Sequence, residues 1–468
     1  MNIEGQSFEK LDRFIRNYMR KGKVPGLAIS IIQDGNLIYS KGFGARDLEK
    51  MLPMTPQTLI GIGSVTKSFT AMAIMKLVEK EKISLHDSVG KYIPSKPFID
   101  HPEVTIRHIL SHSSGFPACD ASLFEMFYLF GDYTRICPVQ SREQFISHLA
   151  DAEEFYVFRP GEHFFYNNDM YVCLGFIIED LTGIPFAQFI QTEILEPLEI
   201  FRFAFTPNQL TSHPENNYIT GYLHKPKDNT MVPTKTLLPI FKELQAPGGL
   251  YIAMEDMMNY AECLLNQGRY RDVQIIQPSS IEELWQGMID MPYGYGPNPR
   301  YGLGWVIDSD LLSHTVMHHG GGLGTSCAFF AVIPELKIGI SVAQNCCSDS
   351  VAKVGRAALA YLLEQSPKEV LPDLRRIEIL EEICGEYQAP YGMYSMNVSQ
   401  KGGIVTAKLE IDDGHLEFPI MLENCDELRF IVCQSTSVQP VFIEFYRDTI
   451  NKRIAFATFD RYLYKRKC

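Results

Sequence analysis

The chain has 468 residues, room for two or three domains, and its 46% hydrophobic and 12% aromatic content can fill a core, which excludes a disordered class. A formal charge of −13 with no Lys/Arg cluster excludes nucleic acid as the natural partner, because phosphate binding needs a basic face. The closing Tyr464-Lys465-Arg466-Lys467 reads as a solvated end.

The opening Met1-Asn2-Ile3-Glu4-Gly5-Gln6 lacks the charged start and apolar run of an export signal. No stretch approaches the ~20 apolar residues that span a bilayer. The 11 cysteines are odd in number, include the adjacent Cys346-Cys347 and form no C-x-x-C pair; H-E-x-x-H is also absent. The expectation is a cytoplasmic protein with buried free thiols, no metal centre, no cofactor and no membrane partner.

Along the chain, residues 7–21 carry apolar residues at helical spacing (Phe8, Leu11, Phe14, Ile15, Tyr18, Met19). Leu27–Ile32 reads as a buried strand that turns at Asp34-Gly35-Asn36 into Leu37–Ser40, a hairpin. A long helix follows Gly63, and further helices are expected at 143–151, 170–182, 255–267 and 351–365. Late strands are expected at Cys327–Ile333 and Ile338–Ala343. This order predicts an α+β domain whose sheet joins segments from the two ends of the domain. The aromatic-rich 122–133 segment reads as core packing in preference to a substrate lid. After about residue 370 the pattern changes. Ser366-Pro367-Lys368-Glu369 resembles a linker that the charged 373–382 run extends, and five short alternating runs between 404 and 457 predict a small antiparallel barrel. The expected domains are 1–370 and 371–468.

Three motifs carry chemistry. S-x-x-K sets serine and lysine one helical turn apart, so that a desolvated amine can take the hydroxyl proton. The pattern occurs four times, at Ser7, Ser64, Ser88 and Ser350. Only Ser64 follows a permissive Gly61-Ile62-Gly63 turn and opens an apolar, buried helix, where the dipole and a free N–H suit an oxyanion. The second motif is Tyr166-Asn167-Asn168, the sole Y-x-N in the chain: a phenol that can relay protons, with an amide two residues on. The third is Met317-His318-His319-Gly320-Gly321-Gly322-Leu323-Gly324, leading into a strand; its glycines let a substrate backbone approach closely.

Together Ser64-Val65-Thr66-Lys67, Tyr166-Asn167-Asn168 and His319-Gly320-Gly321 resemble the class C β-lactamase and CubicO family of penicillin-recognising serine hydrolases. Thr105–Pro117, Ala246-Pro247-Gly248-Gly249-Leu250 and Tyr301-Gly302-Leu303-Gly304-Trp305 agree, and the resemblance covers roughly residues 8–365. It implies a β-lactamase/transpeptidase-like sheet flanked by helices beside a helical region, with the site in the cleft between them. The C-terminal barrel resembles the lipocalin-like appendage of some family peptidases. Carried over, Ser64 forms the acyl-enzyme, Lys67 takes its proton and Tyr166 shuttles it to the leaving group. The N–H groups of Ser64 and Gly322 hold the oxyanion, while Asn168 and Gly321 orient the substrate. His319 stands where the lactamases carry the lysine of K-T-G, a weaker anchor for a carboxylate. His318-His319-Gly320 also fits H-x-G; neighbours on a strand face opposite ways, so one histidine enters the site and His319 is preferred. The resemblance implies a serine peptidase or amidase for small peptides, D-residues included. An esterase, a weak β-lactamase and a non-catalytic binding protein are the alternatives, and a homo-oligomer is compatible with all of them.

Overall fold

The computed structural model describes residues 5–118, 139, 141–150, 156, 158–225, 230–234, 245–294, 298–348, 350–370, 372–401, 403–411, 414–433 and 440–467. The aromatic 122–133 segment lies outside them. The chain divides into two compact units, Met1–Glu364 and Gln365–Cys468.

In the first unit, helix α1 (Gly5–Gly22) buries Leu11, Ile15 and Tyr18 and leaves its charged residues outside. The sheet behind it has nine antiparallel strands. In chain order they are β1 (Gly26–Gln33), β2 (Asn36–Asp47), β3 (Leu52–Pro53), β4 (Ile289–Asp290), β5 (Arg300–Tyr301), β6 (Val306–Leu311), β7 (His314–Gly322), β8 (Cys327–Ile333) and β9 (Ile338–Gln344). Their spatial order is β4-β5-β6-β7-β8-β9-β1-β2-β3. The junction of the two ends is the β1–β9 pairing, in register from Leu27 opposite Gln344 to Gln33 opposite Ile338.

Both faces of this sheet are covered, so β1 and β9 are apolar without alternation. Adjacent residues of β8 point oppositely and meet different helices. Phe330 stacks on Tyr260 of α5 (Met257–Leu265), while Phe329 sits where Gly355 of α6 (Ala352–Leu362) leaves room. Beside the sheet lies a helical region with three further helices, α2 (Thr66–Glu79), α3 (Arg142–Ala150) and α4 (Asn168–Thr182). Helix α2 is buried around almost its whole circumference, which is why its sequence is apolar without a polar face. Among the described residues no single helix is long and apolar enough to cross a membrane. One bent pair, Asn168–Thr182 with Phe186–Leu195, has the length and composition, but its apolar residues fill the core.

The second unit opens with a short helix, Pro367–Val370, and α7 (Pro372–Ile383), then closes an eight-stranded antiparallel barrel. Its strands are β10 (Gly385–Gln388), β11 (Ser395–Lys401), β12 (Ile404–Ile411), β13 (Gly414–Asn424), β14 (Arg429–Val432), β15 (Phe442–Arg447), β16 (Ile454–Phe459) and β17 (Tyr462–Arg466).

Four expectations are corrected here. The charged 373–382 run is helix, not linker: Ile379 and Ile383 reach the barrel core, and two anchors among charges leave little apolar signal. The basic end is not a solvated tail but the closing strand β17, with Tyr464 buried and Arg466 donating to the carbonyls of Glu382 and Cys384. Nor is Ser366-Pro367-Lys368-Glu369 a plain linker, since Pro367–Val370 forms a short helix. Finally, the cysteines are not all free. Cys327 and Cys347 are joined in a disulfide, whereas Cys173, Cys263 and Cys346 are buried thiols.

Candidate active site

Gly63 has φ +52°, which glycine adopts without strain, and turns the chain out of a short strand into the tight turn Gly63–Val65 that leads into α2. Ser64 sits on this turn, partly exposed. Three residues on, Lys67 is fully buried with Nζ 3.0 Å from Ser64 Oγ. Nζ also lies 2.7 Å from Asn168 Oδ1 and 2.8 Å from the Pro247 carbonyl, both of which can only accept. Burial drives the Lys67 amine well below its ordinary range, and among the described residues no carboxylate holds it up. As a free amine it donates its two N–H bonds to these carbonyls and turns its lone pair to Ser64. The same spacing elsewhere need not make such a pair. Ser88, for example, caps a short turn by accepting from Gly90 N, and Lys91 goes to Asp87.

Asn167 fixes the second motif. Its side chain caps α4, accepting from the N–H groups of Asp169 and Met170, so Asn168 enters the first helical turn aimed at Lys67. Tyr166, just before the cap, brings its ring to 4.8 Å from Lys67 Nζ. Burial pushes its phenol above its ordinary range, and a hydrogen bond with Ser64 pulls the other way.

Strand β7 supplies the third motif and separates the two histidines. His318 Nε2 is 2.8 Å from Asp308 on β6. His319 faces Tyr166, at 6.3 Å between ring centroids, with Nδ1 2.6 Å from the Gly320 carbonyl and Nε2 2.9 Å from Tyr301 Oη. The carbonyl can only accept, so Nδ1 carries the proton and Nε2 accepts from Tyr301. Burial, the largest cause, moves the His319 imidazole down to about 3, so the ring is neutral. Of the three glycines, Gly321 is demanded by space. A Cβ there would lie 1.9 Å from the Ile62 carbonyl oxygen and 2.7 Å from Ser64 N. Gly322 N lies equally close to the nucleophile turn, 2.4 Å from where a Gly63 Cβ would stand.

These residues bound a cleft of about 450 Å³ lined by Ser64, Tyr166, Tyr293, Tyr301, His319 and the β7 glycines. No Lys, Arg, Asp or Glu is among its described lining residues. Nor, among the described residues, does any group of three His, Cys, Asp or Glu side chains stand where it could hold a metal ion. Ser64, Lys67, Tyr166, Asn168, His319, Gly321 and Gly322 thus lie together. Sequence reasoning gave no role to Pro247, Tyr301 or His112, although all three stand in segments that the resemblance covers. Their contribution is a carbonyl, a hydroxyl and a ring whose use depends on folding.

The beta-lactamase family model matches residues 11–363. Protein flp of Staphylococcus aureus (strain NCTC 8325 / PS 47) is 26% identical over 357 residues, 75% of this chain and 66% of flp, so the chain matches just under two thirds of that relative. The solved octameric penicillin-binding protein homologue from Pyrococcus abyssi is 33% identical with a TM-score of 0.89, covering 98% of this chain and 99% of that one. A D-stereospecific amidohydrolase from Streptomyces sp. shares the fold at 24% identity and a TM-score of 0.58, covering 72% of this chain and 94% of its own. With the family match spanning the whole unit that houses Ser64 and Lys67, the chain belongs to the beta-lactamase/transpeptidase-like family of serine hydrolases.

Proposed function

We propose that this chain is a serine peptidase or amidase of the CubicO type, cleaving small peptides through an acyl-enzyme on Ser64. The observation that carries this reading is the buried, counter-ion-free Lys67, whose amine is held by two carbonyls and faces Ser64 Oγ at 3.0 Å. Lys67 takes the hydroxyl proton as Oγ attacks the substrate carbonyl, and the N–H groups of Ser64 and Gly322 hold the oxyanion. The raised phenol of Tyr166 is protonated at rest, which suits it to give a proton to the leaving amine and regain one from the Lys67 ammonium. Water then replaces the amine, and the same groups run in reverse to free Ser64 and the acid product. Asn168 and the Gly321 strand edge orient the substrate. A neutral His319 in a cleft without Lys or Arg favours substrates lacking a carboxylate beside the scissile bond, which counts against β-lactams.

An esterase would use the same atoms on a better leaving group, and the panel below separates the two. Assembly as a homo-oligomer is part of the proposal, supported by the 33% identical structure described as octameric; light scattering tests it. The deciding experiment is intact mass after exposure to a fluorophosphonate probe, wild type against Ser64→Ala. One adduct lost only in the variant, followed by turnover of L- or D-aminoacyl amides in preference to esters, is expected. A folded wild type that takes no adduct overturns the proposal in favour of a binding protein, and turnover of esters alone makes it an esterase.

A further inference from the structure

His112 lies outside the three motifs, yet the N–H groups of both residues flanking Tyr166 are tied to it. The Phe165 N–H donates to the His112 carbonyl at 2.8 Å, and the Asn167 N–H donates to His112 Nδ1 at 3.1 Å. One residue therefore brackets the proton-relay tyrosine from both sides. Its ring packs 4.2 Å from Tyr166, 4.8 Å from Tyr301 and 5.1 Å from Tyr171, measured between centroids, and is fully buried. Because Nδ1 accepts, the proton sits on Nε2, which is buried without a hydrogen-bond partner among the described residues. The backbone at His112 has φ +56°, a conformation costly for most side chains. A strained backbone and an unpartnered buried N–H are tolerated together where something else is gained.

We propose that His112 is a positioning residue: its carbonyl and Nδ1 clamp Phe165 and Asn167, and thereby set Tyr166 against Ser64 and start α4 so that Asn168 meets Lys67. This rests on the acyl-enzyme reading for its effect on rate, but not for the clamp itself. Asparagine separates the parts of the role. Its amide oxygen stands as many bonds from the backbone as Nδ1 and can accept from Asn167 N–H, and asparagine tolerates positive φ. His112→Ala keeps the carbonyl but loses the side-chain acceptor.

Two readouts on the full chain test this: the fluorophosphonate labelling rate of Ser64, and hydrogen–deuterium exchange of the peptide covering 164–168. His112→Ala is expected to label about a hundredfold more slowly, the cost of misplacing a catalytic group by about 1 Å, and to exchange faster across 165–167. His112→Asn should recover most of both. If His112→Asn is as impaired as His112→Ala, or if His112→Ala keeps wild-type exchange, the clamp is refuted. If wild type does not label at all, the acyl-enzyme reading fails, while exchange still decides the clamp.

Discussion

Replacing Asn168 by aspartate tests whether Lys67 works as a free amine. Asn168 Oδ1 lies 2.7 Å from Nζ, so the substitution sets a carboxylate at that separation, in a site where only burial acts on the amine. Two unit charges at this distance attract by about 6 kcal/mol at an effective dielectric of about 20. Burying the new carboxylate opposes the gain. With half of it lost, about 3 kcal/mol still favours the ammonium, which leaves about a hundredfold less free amine at a given pH. The assay is the initial rate of fluorophosphonate labelling from about pH 6 to about pH 9, with the thermal midpoint as a check on folding. N168D should label more slowly at the acid end of this range, by up to about a hundredfold, and recover by up to roughly tenfold per pH unit as pH rises, while wild type changes less. A folded N168D with the wild-type rate and profile would refute the argument that the amine is the base.

Three other outcomes follow from the same geometry. Gly321→Ala, whose Cβ would stand 2.7 Å from Ser64 N, should label about a hundredfold more slowly. Gly320→Ala, which meets no heavy atom within 4 Å, should label as wild type does. His319, at about 3 when folded, stays neutral while the unfolded chain takes up its proton near pH 6.5; its contribution is therefore present above that pH and lost as pH falls. Between about pH 7 and pH 5 this amounts to about 2 kcal/mol, and urea unfolding should show H319Q losing that much of the pH dependence. Reduction of Cys327–Cys347, which closes a separation of 20 residues, should lower stability by about 3 kcal/mol and slow labelling, since both Sγ atoms lie 3.9 Å from where a Gly322 Cβ would stand.

How much of this was legible in the sequence varies with the kind of signal. The helices at 7–21 and 170–182 and the strands at 327–333 and 338–343 stood within two residues of their observed ends, because each buries one face or all of itself in long apolar runs. The strands β10, β11 and β17 escaped notice, and so did α7, because each spends only one or two side chains on the barrel core. The disulfide was hidden because spacing says nothing of which cysteines meet; it takes the β8–β9 pairing, with Cys327 opposite Gln344, and the exit from β9 to bring Cys327 and Cys347 together. In the site, the S-x-x-K spacing gave the Ser64–Lys67 contact, since it spans one turn. The carbonyl of Pro247 and the hydroxyl of Tyr301, each reached across the fold, left no such trace.

The electrostatic character of the site is the part least visible in the letters. Lysine, tyrosine and two histidines suggest a charged centre, and on an open surface they would make one. Here burial acts on each of them in the direction of neutrality: the Lys67 amine and the His112 and His319 imidazoles are lowered, and the Tyr166 phenol is raised. His318 is turned away to Asp308 by the alternation of one strand. A site of neutral donors and acceptors can move a proton from Ser64 to a leaving group without first stripping a counter-ion. Among its described lining residues it offers no Lys or Arg to a substrate carboxylate, so on the proposed reading nothing there does the work of the lysine that the lactamases carry at position 319. Selectivity then has to come from hydrogen bonds to the substrate backbone and from the aromatic walls of Tyr293 and Tyr301, and those fit an uncharged acyl group better than an acid.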